Sequence, residues 1–264
     1  MGKAEIAWRA ALAGWQIPQY ILAQAPESPW GFPGGRFAPP AVTVDSLARR
    51  IAMMSLADGG TVIDVGCGAG AASLALLPAV GSIVGVDERD SMLDEFAVNC
   101  RQRNVASGVA LGRWPDVADG VGPADVVVCH HVLYNVMDIV PFVRALTAHA
   151  KNRVVVEVTA RHPMAFLRPF WRRFWDLDRP DGPSAHDLLA VLLEAEPALM
   201  YDIEPRPFER WGTPQDEVAL VRRRLCLAAS RDDEIADALA EFGRPPDALA
   251  VFAWPDFRRS PPQR

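Results

Sequence analysis

The chain has 264 residues and a formal net charge of −6, from 33 acidic and 27 basic side chains. Half of its residues are hydrophobic, but no apolar run approaches the roughly 20 residues that a membrane span needs. The excess of acid argues against nucleic acids and anionic lipid surfaces as partners. Four scattered cysteines lack paired zinc spacing, which predicts no metal site and a reducing, cytoplasmic location.

Residues 1–58 are predicted to form an N-terminal helical cover. A first amphipathic helix is expected over residues 3–14, and the charges within it are unlike the core of a secretory signal. A loop rich in proline and glycine follows, and a helix capped by Thr43 then runs to about Leu56. Because the loop carries too many aromatics for a free linker, it is expected to be ordered. These aromatics are Trp30, Phe32 and Phe37.

Residues 59–160 alternate short apolar runs with helical segments. This alternation predicts an α/β fold, a doubly wound and mostly parallel sheet with helices on both faces. The predicted strands are residues 61–65, 82–86, 109–111, 124–129 and 153–158, and the predicted helices are 69–77, 91–103 and 136–150.

Residues 161–264 are expected to add the walls of an acceptor site and to complete the same sheet. The segment predicts strands over 199–208 and 248–254, and helices beginning after the caps Ser184 and Thr213, with another helix over 231–242. Its aromatic stretch favours a buried helix face over base stacking, because like aromatics lie four residues apart in an acidic chain. The two pairs are Phe170 with Phe174 and Trp171 with Trp175.

The segment VIDVGCGAGAASL, residues 62–74, predicts a tight glycine turn between a strand and a helix. Two ligands compete for such a turn. Dinucleotide sites favour Gly-x-Gly-x-x-Gly, whereas S-adenosylmethionine sites favour an acid followed by evenly spaced glycines, as in Asp64, Gly66, Gly68 and Gly70. A carboxylate beside a pyrophosphate is repelled, but it attracts an ammonium and a sulfonium. The charge therefore favours S-adenosylmethionine.

Asp87 closes the predicted second strand, in VGVDERD. An acid at this place can accept hydrogen bonds from both hydroxyls of a ribose. Because acids near this offset also serve dinucleotides, Asp87 supports an adenosine ligand without deciding between the two.

Together these segments resemble the class I S-adenosylmethionine-dependent methyltransferases. The resemblance runs through VIDVGCGAGAASL, VGVDERDSML and ADVVVCHHVLYNV, about residues 60–160. It implies a Rossmann-like sheet of seven strands with the last antiparallel, S-adenosylmethionine as cofactor and S-adenosylhomocysteine as product. It also implies that the glycine loop contacts the methionine portion, the acid binds ribose, and the end of strand four faces the methyl group. The residues so assigned are Asp64, Gly66, Cys67, Gly68, Gly70, Asp87, Cys129 and His130, with Met92 on the adenine.

One departure from the family concerns the adenine. Many relatives place an aspartate after the third strand to accept from the adenine amino group, but this chain has Arg113 and Trp114 there. Either backbone groups around these two residues bind the adenine, or Asp116 reaches in from further along.

The acceptor chemistry is expected at the ends of strands four and five. In CHHVLYN, either His130 or His131 is a candidate base, and Tyr134 is expected to orient the acceptor. An equal alternative is that the histidines only shape the cofactor pocket or cap backbone groups. His162 follows strand five and is a second candidate base, although a turn histidine can equally be structural. Adjacent residues leaving a strand point to different sides, which argues against a metal site here.

These observations predict methyl transfer to a small organic acceptor, with oxygen favoured over nitrogen and carbon. The aromatic additions imply an acceptor cavity that is largely apolar. The alternatives are methylation of a protein or RNA group, and a partner protein that binds the cofactor without catalysis. The sequence carries no prediction of the oligomeric state.

Overall fold

The computed structural model describes residues 2–30, 44–195, 198–206 and 212–255. Seven strands form one sheet in the order β3-β2-β1-β4-β5-β7-β6. Strands β1 to β5 run parallel, whereas β7 runs antiparallel to both of its neighbours. The predicted α/β fold class, including the antiparallel last strand, is confirmed. The strands are β1 Gly60–Val65, β2 Val80–Asp87, β3 Ala106–Leu111, β4 Ala124–His130, β5 Ala150–Thr159, β6 Met200–Arg206 and β7 Asp247–Trp254.

Helices cover both faces of this sheet, as the nearly unbroken apolar runs of its central strands require. Two buried clusters lie on the two faces, one including Ile63 and Val127 and the other Val62 and Val126. The alternation of neighbours between the clusters follows from the two-residue period of a strand. The α-helices are α1 Lys3–Ala13, α2 Gln19–Leu22, α3 Leu47–Met54, α4 Ala71–Leu74, α5 Asp90–Gln102, α6 Ile139–His149, α7 Arg168–Trp175, α8 Ala185–Ala195, α9 Pro214–Arg224 and α10 Asp232–Phe242.

Two predicted helix starts differ in outcome. Thr213 begins α9 with a capping box, in which its hydroxyl accepts from the Asp216 N–H and the Asp216 carboxylate accepts from the Thr213 N–H. Thr43 lies outside the described residues, and the α3 cap is Ser46, whose hydroxyl oxygen accepts from the Arg49 N–H at 3.2 Å. Helix α4 is much shorter than the predicted span 69–77, because Gly70 still belongs to the loop and Pro78 disfavours helical backbone before it.

A third buried cluster joins α2, α7, α9 and α10 into a helical cap. Phe170 and Trp171 are buried in it, while Phe174 and Trp175 pack against it, so the predicted buried helix face is confirmed. Of the aromatics expected in the N-terminal loop, Trp30 is exposed, and Phe32 and Phe37 lie outside the described residues.

The N-terminal helix α1 packs against α8 and contacts the loop that follows β4. Trp8 is buried in the same cluster as Ile63, and its indole N–H donates to the Val136 carbonyl oxygen at 2.8 Å. The division at residues 58 and 160 stays a prediction. Within the part of the chain that the structure describes, every helix is too short or too polar to cross a membrane.

Candidate functional site

The glycine loop after β1 owes its shape to three left-handed glycines. Gly66, Gly68 and Gly70 have φ angles of 72°, 51° and 91°, which residues with a Cβ rarely adopt. The space at Gly66 is also closed, since a Cβ there would lie 2.3 Å from Cγ2 of Val132. The even glycine spacing of the sequence therefore corresponds to a backbone turn that requires glycine.

Asp87 ties this loop to the end of β2. Its Oδ2 accepts a hydrogen bond from the Gly68 N–H at 3.0 Å, and its Oδ1 accepts from the Arg89 N–H at 3.0 Å. Each carboxylate oxygen has two lone pairs, so one on each oxygen is left for further donors. A carboxylate held in this way can accept from two neighbouring hydroxyls of a ribose.

Asp64 lies beneath the loop and is 1 % exposed. Its Oδ2 accepts from the Ser73 hydroxyl at 2.6 Å and from the Ser73 N–H at 3.3 Å. Burial raises the pKa of this carboxyl to about 6, while the bonds from Ser73 oppose the rise. Ser73 had no signal in the sequence beyond its place in the predicted helix.

The raised pKa gives stability a pH dependence with a definite sign. Because the folded state holds the Asp64 proton more tightly than the unfolded chain, this contribution is complete below about pH 4 and is lost as pH rises through about 6. Asp64→Asn is therefore expected to raise the free energy of unfolding of the ligand-free protein at pH 8 by at most about 3 kcal/mol. The melting temperature should rise with it. The gain should shrink as pH falls through 6 and should disappear below about pH 4.

Thermal melts from pH 4 to pH 8 check this result. Asp94→Asn on the exposed face of α5 is the matched control and should leave the profile unchanged. An equal stability change at pH 4 and pH 8 would contradict the assignment.

The two cysteines assigned to the cofactor are buried. The backbone N–H of Cys67 donates to the Val86 carbonyl oxygen at 3.0 Å. Cys129 belongs to the buried cluster that includes Ile63 and Val127. Burial raises the pKa of both thiols far above the ordinary range, so both are neutral and neither is an ion-pair partner for a ligand. Met92, on α5, is half-buried. Contacts of these residues with a cofactor stay predictions.

The loop after β3 offers the adenine mainly backbone groups. Trp114 is buried and packs edge-on against His149 with 4.9 Å between ring centroids. Arg113 is exposed and pairs with Glu88 at 3.1 Å. Asp116 is also exposed. The predicted roles of Arg113 and Trp114 therefore fit backbone recognition better than side-chain recognition.

The structure brings His130, His131 and Tyr134 together at the end of β4, around a residue that sequence reasoning missed. This residue is Glu157, which pairs with His130 in the register of β4 and β5 and has a buried side chain. Its Oε1 lies 3.2 Å from Nε2 of His131 and 3.9 Å from Nδ1 of His130. The segment RVVVEVT predicts a strand, but nothing in it shows which neighbour the acid faces.

His131 has a φ of 59°, a left-handed backbone that is uncommon for residues other than glycine. Its Nδ1 lies 3.2 Å from the hydroxyl of Tyr134. The oxygen of that hydroxyl accepts a hydrogen bond from the Thr159 N–H. Burial raises the pKa of the Tyr134 phenol, which therefore stays protonated. Burial lowers the pKa of His130, although Glu157 opposes this, so His130 is biased towards its neutral form.

His162 adjoins this group through the ring of Tyr134, with 6.0 Å between ring centroids, and lies on the cap side of the same edge. Its ring stacks on Trp15 with 4.4 Å between centroids, and its Nδ1 accepts from the Met164 N–H at 3.2 Å. Burial lowers the pKa of His162 to about 4, which makes it a weak base at neutral pH. The contacts suit a pocket wall. Within the described residues, no group of three histidine, cysteine or acidic side chains could hold a metal ion.

The donor set of the site fits a cationic ligand without phosphate. Asp64, which lies directly beneath the glycine loop, is a buried carboxylate that would repel a pyrophosphate. Arg113, the basic side chain of the neighbouring loop, is already paired with Glu88. An adenosyl group ending in a sulfonium and an ammonium matches these charges.

Residues 62–153 match a family model described as a methyltransferase domain. The YcgJ protein of Bacillus subtilis is 17% identical, with a TM-score of 0.51 over 78% of this chain and 97% of that chain. Magnesium protoporphyrin IX methyltransferase of Synechocystis PCC 6803, solved with bound S-adenosylhomocysteine, is 15% identical, with a TM-score of 0.51 over 80% and 81%. The cyclase SpnF is 14% identical, with a TM-score of 0.51 over 78% and 79%.

No curated protein sequence matches the chain. The family match and the shared fold confirm the predicted resemblance to the class I methyltransferases, a family that uses S-adenosylmethionine. SpnF has the same fold and is a cyclase, so the fold alone does not determine the reaction.

Proposed function

We propose that this chain, which carries a methyltransferase domain over residues 62–153, transfers a methyl group from S-adenosylmethionine to an oxygen atom of a small organic acceptor. One observation carries the cofactor half of the proposal. Asp87 accepts from the N–H of Gly68 in a loop of left-handed glycines, and it keeps one lone pair on each oxygen that the hydroxyls of a ribose could use. S-adenosylmethionine supplies an electrophilic methyl group when it is bound.

The acceptor half rests on the groups at the ends of β4 and β5. His131 and Glu157 form a histidine and carboxylate pair, which is an arrangement suited to taking a proton from a hydroxyl. Deprotonation is required for most hydroxyl acceptors but not for an amine that is already neutral. This supports oxygen as the methylated atom.

The wall on the cap side supports a small acceptor. His162 lies between two aromatic rings, with 4.4 Å between its centroid and that of Trp15 and 6.0 Å between its centroid and that of Tyr134. Aromatic surfaces of this kind line pockets for small apolar ligands. The net acidity of the chain is unsuited to an RNA acceptor.

Ligand binding gives the first test of the proposal. S-adenosylhomocysteine at 100 times its dissociation constant is expected to stabilise the folded protein by about 2.7 kcal/mol, because it binds only the folded state. NAD at the same concentration should leave the melting temperature unchanged. Differential scanning fluorimetry measures both. Stabilisation by NAD and none by S-adenosylhomocysteine would contradict the cofactor assignment.

The acceptor class is tested by transfer of a labelled methyl group. The protein is incubated with methyl-labelled S-adenosylmethionine and a metabolite extract, and products are searched by mass spectrometry for the labelled methyl. A labelled small methyl ether or ester supports the proposal. Label confined to RNA or protein would overturn the acceptor class, and binding of S-adenosylhomocysteine without any transfer would favour a partner protein or a reaction of another kind.

A further inference from the structure

Glu157 is not among the residues assigned to the cofactor, yet it is a buried carboxylate beside two histidines. Its side chain is 8 % exposed and lies in the middle of the sheet, on β5. A charged group in such a place needs partners, because burial without them is costly. Nε2 of His131 is one such partner, at a hydrogen-bond distance of 3.2 Å.

The hydrogen-bond pattern fixes the tautomer of His131. The Tyr134 hydroxyl already accepts from the Thr159 N–H, so its own proton is free to be donated to Nδ1 of His131. Nδ1 is then an acceptor, and the ring proton of neutral His131 is on Nε2, facing Glu157. In this arrangement the Thr159 N–H donates to Tyr134, the Tyr134 hydroxyl donates to Nδ1 of His131, and Nε2–H of His131 donates to Glu157.

We propose that Glu157 is a positioning residue that holds His131 with Nδ1 as the proton acceptor for the substrate hydroxyl. The inference rests on the proposed function and extends it to the base. His131 is accessible to a substrate, since 40 % of its side chain is exposed, whereas Tyr134 is buried. The bond from Tyr134 to Nδ1 is 3.2 Å, longer than usual for a hydroxyl donor, so a substrate hydroxyl can replace it.

The backbone supports the same arrangement. The left-handed φ of His131 is an unfavourable conformation that a histidine keeps only where its surroundings determine it. Here the His131 N–H donates to the Glu157 carbonyl oxygen at 2.8 Å, so backbone and side chain of one residue both fix the imidazole. Strain of this kind is frequent at functional sites.

The proton and electron balance of the step is simple. The proton of the acceptor hydroxyl moves to Nδ1 of His131, which becomes an imidazolium facing the Glu157 carboxylate. The acceptor oxygen uses the freed electron pair to bond the methyl carbon, and the carbon to sulfur bond breaks with its electrons on sulfur. Among the described residues, the titratable groups near this pair include His130 at the end of β4 and Tyr134, and Tyr134 is in turn near His162 and Asp247.

Glu157→Gln tests the proposal, because it keeps the side-chain shape and removes the charge. We expect kcat/KM for the acceptor to fall at least ~10-fold, mainly through kcat, and the acid limb of its pH profile to move to lower pH. Affinity for S-adenosylhomocysteine should stay within twofold of wild type. Glu95→Gln, on the exposed face of α5, is the matched control.

A double-mutant cycle separates positioning from a general structural effect. His131→Asn retains a residue that tolerates left-handed backbone and is expected to lower kcat by ~100-fold or more. Adding Glu157→Gln to His131→Asn should then have no further effect, since Glu157 acts through His131. Additive losses, or a Glu157→Gln variant with unchanged rate and pH profile, would overturn the proposal.

Nitrogen-15 NMR of the histidine rings provides a readout that does not need catalysis. In the wild-type protein without ligands, His131 should carry its proton on Nε2, and Glu157→Gln should reduce that preference. This measurement distinguishes the two proposals, because the tautomer can be correct even if no methyl transfer is found. A His131 ring protonated on Nδ1 in the wild type would overturn the role of Glu157.

Discussion

Asp87→Ala is expected to lower the affinity for S-adenosylhomocysteine at least ~100-fold. The substitution removes the acceptor for two ribose hydroxyls, and hydrogen bonds to a charged group contribute about 1.5–3 kcal/mol each. It also releases the N–H groups of Gly68 and Arg89, which Asp87 holds at 3.0 Å. The loop would then lose its side-chain link to β2, although the backbone bonds from Gly66 and Cys67 to the Val86 carbonyl oxygen remain. Isothermal titration calorimetry measures the change.

Two further variants make this result specific. Asp94→Ala removes an exposed acid of α5 and should bind as well as wild type. Asp87→Asn keeps the size of the side chain but only one acceptor oxygen, so its affinity should lie between those of wild type and Asp87→Ala. An Asp87→Ala protein that binds S-adenosylhomocysteine within threefold of wild type would mean that the ribose site lies elsewhere.

Gly66→Ala is expected to reduce the free energy of unfolding by about 2–5 kcal/mol. The left-handed φ of 72° costs a residue with a Cβ about 1–2 kcal/mol. The new Cβ would also lie 2.3 Å from Cγ2 of Val132, and crowding of this kind costs about 1–3 kcal/mol. Urea denaturation followed by fluorescence gives the difference from wild type.

The two causes can be separated within the same series. Gly120→Ala is the matched control, because a Cβ there has no heavy atom within 4 Å and the φ is not left-handed. Adding Val132→Ala to Gly66→Ala removes the crowding and leaves the backbone cost. Gly66→Ala should therefore cost less stability in the Val132→Ala background than in the wild type, but it should still cost about 1–2 kcal/mol. A Gly66→Ala protein as stable as Gly120→Ala would contradict the geometry of the loop.

The parallel core and the glycine loop were predictable because their signals are local. Valine-rich runs predict buried strands wherever they occur, and glycines at 66, 68 and 70 predict a turn whose φ angles require them. The acid at the end of β2 follows from the same local pattern. These features need no knowledge of which distant residues meet.

The acceptor side was less predictable because it depends on contacts between distant elements. Glu157 faces His131 only because β4 and β5 pair with His130 opposite Glu157, and this register is set by packing. In the same way, His162 stacks on Trp15 from the N-terminal segment, which no spacing in the sequence indicates. Trp114 was assigned to the adenine by its place after β3, but its side chain is buried against His149.

The helical cap has a consequence for how such a protein can change in evolution. Across the residues that the structure describes, its buried cluster, formed from α2, α7, α9 and α10, shares no member with the two clusters that flank the sheet. We therefore expect substitutions within the cap to leave the packing of the glycine loop and Asp87 largely unchanged. On the function proposed here, acceptor preference can diversify rapidly while the methyl-donor end is inherited unchanged.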